Sequence, residues 1–100
     1  MIDLHFICPQ GRNHAKLGPD TYESGNWTVS DERADEAVGG RIYLHDTKKG
    51  RSWHGGTIQG WRAYDATRKV FTYKAEGDIR VLCPDGWGQE QATVRRADQP

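Results

Sequence analysis

The first residues after Met1 alternate. Ile2, Leu4, Phe6 and Cys8 fall on one face of an extended chain, and Asp3, His5 and Ile7 on the other. A period of two predicts a strand, which Pro9 ends. Residues 10–26 are polar and carry the turn signals PQGRN, LGPD and SGN, so they predict one long loop pinned to the core by Leu17 and Tyr22. Loops of that length in a compact domain often carry function. The run VSDERADEAVGG predicts the single helix. Ser30 is placed to accept from orphan N–H groups, and Asp31 and Glu32 sit where the helix dipole favours negative charge. Val29 and Ala34 take the positions of a hydrophobic staple. Ala34, Ala37 and Val38 form a narrow apolar stripe, and Gly39 supplies a left-handed stop.

Five further runs, RIYLH, TIQGW, VFTYK, DIRVLC and QATVRR, are rich in β-branched or aromatic residues and bounded by Gly, Asp or Pro. EGD links the third and fourth of these as a hairpin. The expected fold is therefore α+β, a small, mostly antiparallel β-barrel of five or six strands with one short helix. In RIYLH, Ile42 and Leu44 share one face, and Arg41, Tyr43 and His45 the other. In TIQGW, Ile58 is expected opposite Thr57, Gln59 and Trp61, which leaves Tyr43, His45 and Trp61 free of any obligation to the core.

One hundred residues suit a single domain spanning 1–100. The fourteen Ile, Leu and Val are few, but four Trp, four Tyr and two Phe add bulk at roughly 150–250 Å² each. The first strand is too short to cross a bilayer and lacks a basic leader, and no later run approaches about 18 apolar residues. The expectation is a cytoplasmic protein with no membrane association, in which Cys8 and Cys83 remain thiols.

The net charge of zero hides a strong asymmetry. Residues 41–69 carry seven Lys and Arg (Arg41, Lys48, Lys49, Arg51, Arg62, Arg68, Lys69) against Asp46 and Asp65. The first forty residues carry three against seven. A positive block in the middle of the chain favours an anionic partner.

Most site chemistries find no support. His5, Cys8, His14, His45, His54 and Cys83 lack the close spacing of a zinc site, and His5 and Cys8 leave opposite faces of their strand. Cys8 has no glycine elbow or following helix to make it a nucleophile, and Ser24 and Ser52 have none either. No catalytic residue is assigned. GRNHAKLG is not a phosphate loop, and GGRIYLH places its glycines after a helix, the wrong order for a dinucleotide turn. No cofactor or metal is expected. What remains is the interleaving of Tyr43, Trp53, Trp61 and Tyr64 with Arg41, His45, Lys48, Lys49, Arg51, His54 and Arg62. Cations hold phosphates and flat rings stack bases, so the expected partner is nucleic acid, RNA or DNA.

The order of parts, a strand, a polar loop ending SGNW, a helix, then VGGRIYLH and GGTIQGW, resembles the PUA-like group of small barrels, with its EVE, ASCH and YTH domains. The resemblance covers nearly the whole chain as layout. It implies RNA or DNA binding, in several members with a modified base flipped into an aromatic pocket. Carried onto this chain, it implies Trp27 as one wall with Ser24 and Asn26 beside it, and Trp53 as another. His45 joins them as a candidate ligand residue, and Lys48, Lys49, Arg51 and Arg62 are the candidate phosphate contacts. ASCH-type relatives include amide hydrolases that use lysine, threonine and glutamate. Thr47 and Lys48 are adjacent here, but the nearest downstream Glu is Glu76, which aligns to no role. A small hydrolase and a protein-interaction or regulatory module are the alternatives.

Overall fold

The computed structural model describes residues 2–8, 14–77, 80–82 and 91–95, with Arg95 described by its backbone only. The elements in chain order are β1 (Ile2–Ile7), β2 (His14–Lys16), β3 (Thr21–Thr28), α1 (Asp31–Ala37), β4 (Arg41–His45), β5 (His54–Ala63), β6 (Arg68–Ala75) and β7 (Gln91–Arg95). The seven strands form one mixed sheet in the order β2-β3-β6-β5-β4-β1-β7. Only β1 and β4 run parallel, and the chain between them passes through β2, β3 and α1; every other neighbouring pair is antiparallel.

The sheet curls tightly. Four strand steps separate β1 from β3, which would be about 19 Å in a flat sheet. Yet Phe6 of β1 stacks on Trp27 of β3 with ring centroids 4.2 Å apart and planes 8° from parallel. At the far edge, Gln91 Nε2 donates to the Thr28 carbonyl at 2.9 Å. Among the described residues the edge strands β2 and β7 are not paired with each other, so the ladder is not closed. The curl encloses the core: Ile2, Leu4, Phe6, Cys8, Trp27, Val29, Ala34, Ala37, Ile42, Leu44, Ile58, Phe71 and Tyr73.

The helix forms as its sequence dictates. Ser30 Oγ accepts from Arg33 N at 3.2 Å, Val29 and Ala34 are buried, and Gly39 takes a φ of 90°. Val38 departs from the expected stripe. Its extended backbone turns it out of the helix, leaving it 42% exposed. Two acidic residues of α1 tie it to the sheet. Asp35 accepts from Trp61 Nε1 at 2.9 Å, and Asp31 pairs at 3.0 Å with Lys69, which is buried and lies beneath the Trp61 ring.

Three expectations are corrected. The long loop over 10–26 contains β2 and most of β3, and Leu17 is exposed rather than pinned to the core. The run YESGN has poor strand propensity, but its backbone pairs with β6 and Tyr22 faces the interior, so tertiary pairing overrides local preference. Trp61 lies on the core side with Ile58 rather than opposite it. A bulge shifts the β5–β6 register between Ile58 and Gly60, bringing Trp61 opposite Phe71. Residues 80–82 of the expected DIRVLC strand are irregular. Their backbone instead serves the β4–β5 loop, with Ser52 N donating to Val81 O and Val81 N to Ser52 Oγ. Asp78 of the expected hairpin, Cys83 and Arg96 lie outside the described residues.

Candidate functional site

The basic loop, residues 46–53, is built from both ends. Trp53 N donates to Leu44 O at 2.7 Å and closes it. Gly50 N donates to Thr47 Oγ1 at 3.0 Å and forms its turn. His45 Nδ1 lies 2.9 Å from Gly50 O. A carbonyl only accepts, so this nitrogen carries the proton and His45 Nε2 is left as the acceptor of a neutral ring. His5 Nδ1, 2.8 Å from that atom, is therefore its donor. His5 in turn stacks on Tyr43 at 4.7 Å. This wiring buries His45 and Tyr43 although they sit on the face away from Ile42 and Leu44. It requires neutral imidazoles. Burial, then the neighbouring His45, lowers the His5 pKa to about 4 against the opposing pull of Asp3. Burial also lowers that of His45. Lys48, Lys49 and Arg51 stand exposed on the loop, and Arg51 Nη1 donates to Arg80 O.

Immediately beyond the loop, a cluster of rings gathers on the core side of the curl. His14 from β2 stacks on Tyr22 from β3, with centroids 5.2 Å apart. His54, the first residue of β5, meets Tyr22 edge-on at 4.6 Å and His14 at 5.1 Å. Trp53 packs beside both histidines, its Nε1 donating to the Cys8 carbonyl at 2.7 Å. At the bottom lies Tyr73, fully buried, its hydroxyl 2.6 Å from His14 Nε2 and 2.7 Å from His54 Nδ1. Burial above all, then the Cys8 thiol and Tyr22, pushes the Tyr73 phenol far above its ordinary range, so it keeps its proton. Burial likewise lowers both histidines, and for His14 the proximity of His54 adds to it. Four of the rings, His14, Tyr22, Trp53 and His54, retain part of their surface in solvent. Lys16 Nζ lies 5.9 Å from the Tyr22 ring. The result is a polar-edged aromatic surface that opens next to a cationic loop.

The structure distributes the expected site residues among three places. Trp53, Lys48, Lys49 and Arg51 belong to the loop and the cluster, with His45 beneath them as the loop's anchor. Trp27 and Ser24 are in the core, where Trp27 Nε1 donates to Ser24 Oγ at 3.1 Å. Asn26 and Arg62 line a groove of about 240 Å³ with Glu23, Tyr64 and His14, so it adjoins the ring cluster through His14, and Arg62 pairs with Glu23 at 3.4 Å. Arg62 is eight residues along β5 from His54, about 26 Å of extended chain. Thr47 and Glu76 do not meet: Thr47 holds the loop turn, while Glu76 accepts from Thr57 and pairs with Arg41 at the other end of β4.

Tyr22, Tyr73 and Lys16 entered no sequence-based site. In the sequence, His14 and His54 stand out only as candidate metal ligands and, for His54, as part of the positive block. Alternation in VFTYK does place Phe71 and Tyr73 on one face, which was the available signal. Nothing local joins them to His14, which stands in the mostly polar run GRNHAKLG. Among the described residues no group of three or more His, Cys, Asp or Glu is arranged to hold a metal ion. None of their helices is long and apolar enough to cross a membrane. No protein-family model, curated protein or solved structure matches this chain.

Proposed function

We propose that the protein is a cytoplasmic nucleic-acid-binding module whose curled sheet is a PUA-like barrel. A base of single-stranded RNA or DNA rests against Trp53, His54, His14 and Tyr22, and the adjoining phosphates meet Lys48, Lys49 and Arg51. One observation carries this reading: Trp53 is both the last residue of the cationic loop and a wall of the ring cluster. Stacking surface and phosphate contacts are therefore joined by a single stretch of backbone. The part-exposed rings offer flat faces, and Lys16 adds a cation on the β2 side. Arg62 and Asn26 line the adjoining groove, which shares His14 with the cluster.

Single-stranded RNA and DNA oligonucleotides are expected to quench tryptophan fluorescence at low salt. Trp53→Ala should weaken binding by about 5- to 150-fold, the range given by roughly 1–3 kcal/mol per stacked base. The double variant Lys48→Ala/Lys49→Ala should reduce the slope of log affinity against log salt by about 1.4 for a single strand. Both lysines are exposed, so the double variant should unfold as the parent does. Absence of any oligonucleotide response at low salt would remove this reading.

A further inference from the structure

The hydrogen bonding at the bottom of the ring cluster restricts what its two histidines can offer. Tyr73 has one proton to donate and can accept from a second group. Its hydroxyl lies within hydrogen-bonding distance of His14 Nε2 and of His54 Nδ1. While both rings are neutral, satisfying both contacts allows two arrangements. In the first, His54 Nδ1–H donates to Tyr73 and Tyr73 donates to His14 Nε2, so both rings carry their proton on Nδ1. In the second, His14 Nε2–H donates to Tyr73 and Tyr73 donates to His54 Nδ1, so both carry it on Nε2. Passage between the two rotates the hydroxyl, and each ring releases one proton to water while taking another at its other nitrogen.

The remaining nitrogens, His14 Nδ1 and His54 Nε2, have no hydrogen-bond partner among the described residues, and both rings are part-exposed. In the first arrangement they are donor and acceptor; in the second, acceptor and donor. They are never two donors or two acceptors. We propose that His14, Tyr73 and His54 form a coupled tautomeric pair that reads a neutral planar ligand bearing a hydrogen-bond donor beside an acceptor. The pyrimidine edges of cytosine and uracil present those groups in opposite orders, and the pair adapts to either. An anion bearing only acceptors, such as a carboxylate, is disfavoured. This assignment rests on the reading of the cluster as a base-binding site and adds which edge of the base is read.

The test uses the full chain with ¹⁵N-labelled histidine. In the free protein near pH 7.5, nitrogen shifts should show His14 and His54 neutral and in the same tautomer. Cytidine and uridine monophosphates should drive the pair to opposite tautomers, both rings moving together. 3-Methyluridine monophosphate, which lacks the donor, should bind about 10-fold or more weakly than uridine monophosphate, because its methyl group meets a ring nitrogen that the ligand has shielded from water. Tyr73→Phe removes the shared hydroxyl and should let the two rings choose tautomers independently. Different tautomers in the free parent protein, or equal binding of the methylated and unmethylated nucleotides, would overturn the proposal. So would coupled tautomers that respond to neither nucleotide. A response to mononucleotides with no binding of oligonucleotides supports the edge reading while removing the proposed nucleic-acid function, so the two failures are distinguishable. If Tyr73→Phe does not fold, the tautomers of the parent protein and the methylated nucleotide still decide.

Discussion

Gly56→Ala is expected to destabilise the fold by about 3 kcal/mol or more, the upper range for overpacking where nothing can yield. Gly56 lies in β5, opposite Ile42 on one side and Ala75 on the other. A Cβ there would sit 2.6 Å from the Lys74 carbonyl carbon and 2.9 Å from the Ala75 Cα, and closer still to the Lys74 carbonyl oxygen. All of these are backbone atoms, so no rotamer change relieves the contact. The β5–β6 ladder would have to spread, and that ladder carries Tyr73 opposite Ile58. Gly60, four residues on in the same strand, is the control, since a Cβ there meets nothing within 4 Å. Gly60→Ala should cost far less than Gly56→Ala although Gly60 borders the bulge, because the added methyl meets no atom. Urea unfolding of the three proteins decides it. A Gly56→Ala midpoint indistinguishable from that of Gly60→Ala would show that the close approach is not a constraint.

Acid should cost this fold stability at a higher pH than carboxylate protonation alone would. His5 titrates at about 4 in the folded protein against 6.5 in an unfolded chain. Above 6.5 both states leave it neutral and its contribution is fully present. As pH falls from 6.5 to 4 the unfolded chain takes up a proton that the folded ring refuses, so stability is lost. The difference amounts to about 3 kcal/mol over the whole window, of which about 2 falls between pH 7 and 5, where most carboxylates are still ionised. His14, His45 and His54 are lowered as well and act in the same direction. Among the described residues His5 faces His45, Tyr43 and Asp3, and Asp3 opposes the shift without reversing it. Urea unfolding followed from pH 7.5 to 4.5 should show the decline, and His5→Gln should flatten it. A parent protein equally stable at pH 7 and 5 would contradict this account. Protonation of His45 would fall on Nε2 and remove the acceptor that His5 Nδ1 uses, while Nδ1–H keeps its bond to Gly50 O.

Parts of the fold were legible because they are local. Strand β1 and strand β4 follow from alternation, and the helix from Ser30, its two acidic neighbours and Gly39, each acting within one turn of chain. Strand β3 was not, because YESGN has no strand preference of its own and gains its conformation by pairing with β6. The face of Trp61 was misread for a related reason. One inserted residue in a ladder reverses every assignment after it, and a bulge is a property of two strands together. Within the candidate site, Trp53 and the loop lysines could be found as composition, because they adjoin in sequence.

What the sequence by itself determined is the set of elements with short-range signals, and a positive block interleaved with aromatic residues. What only the tertiary structure decided is which of those aromatics are spent on the core and which are gathered into one place. Trp27 and Phe6 are twenty-one residues apart in sequence and four strands apart in the sheet, yet stacked. His14 and Tyr73 are separated by 59 residues and share a hydroxyl contact. The physical reason is the curl of the sheet. Period-two alternation specifies a face for each side chain, but which faces meet depends on how far the whole ladder bends. That bend is set by pairing register, by bulges and by which glycines lie at close backbone approaches, and each of these is decided by two strands together.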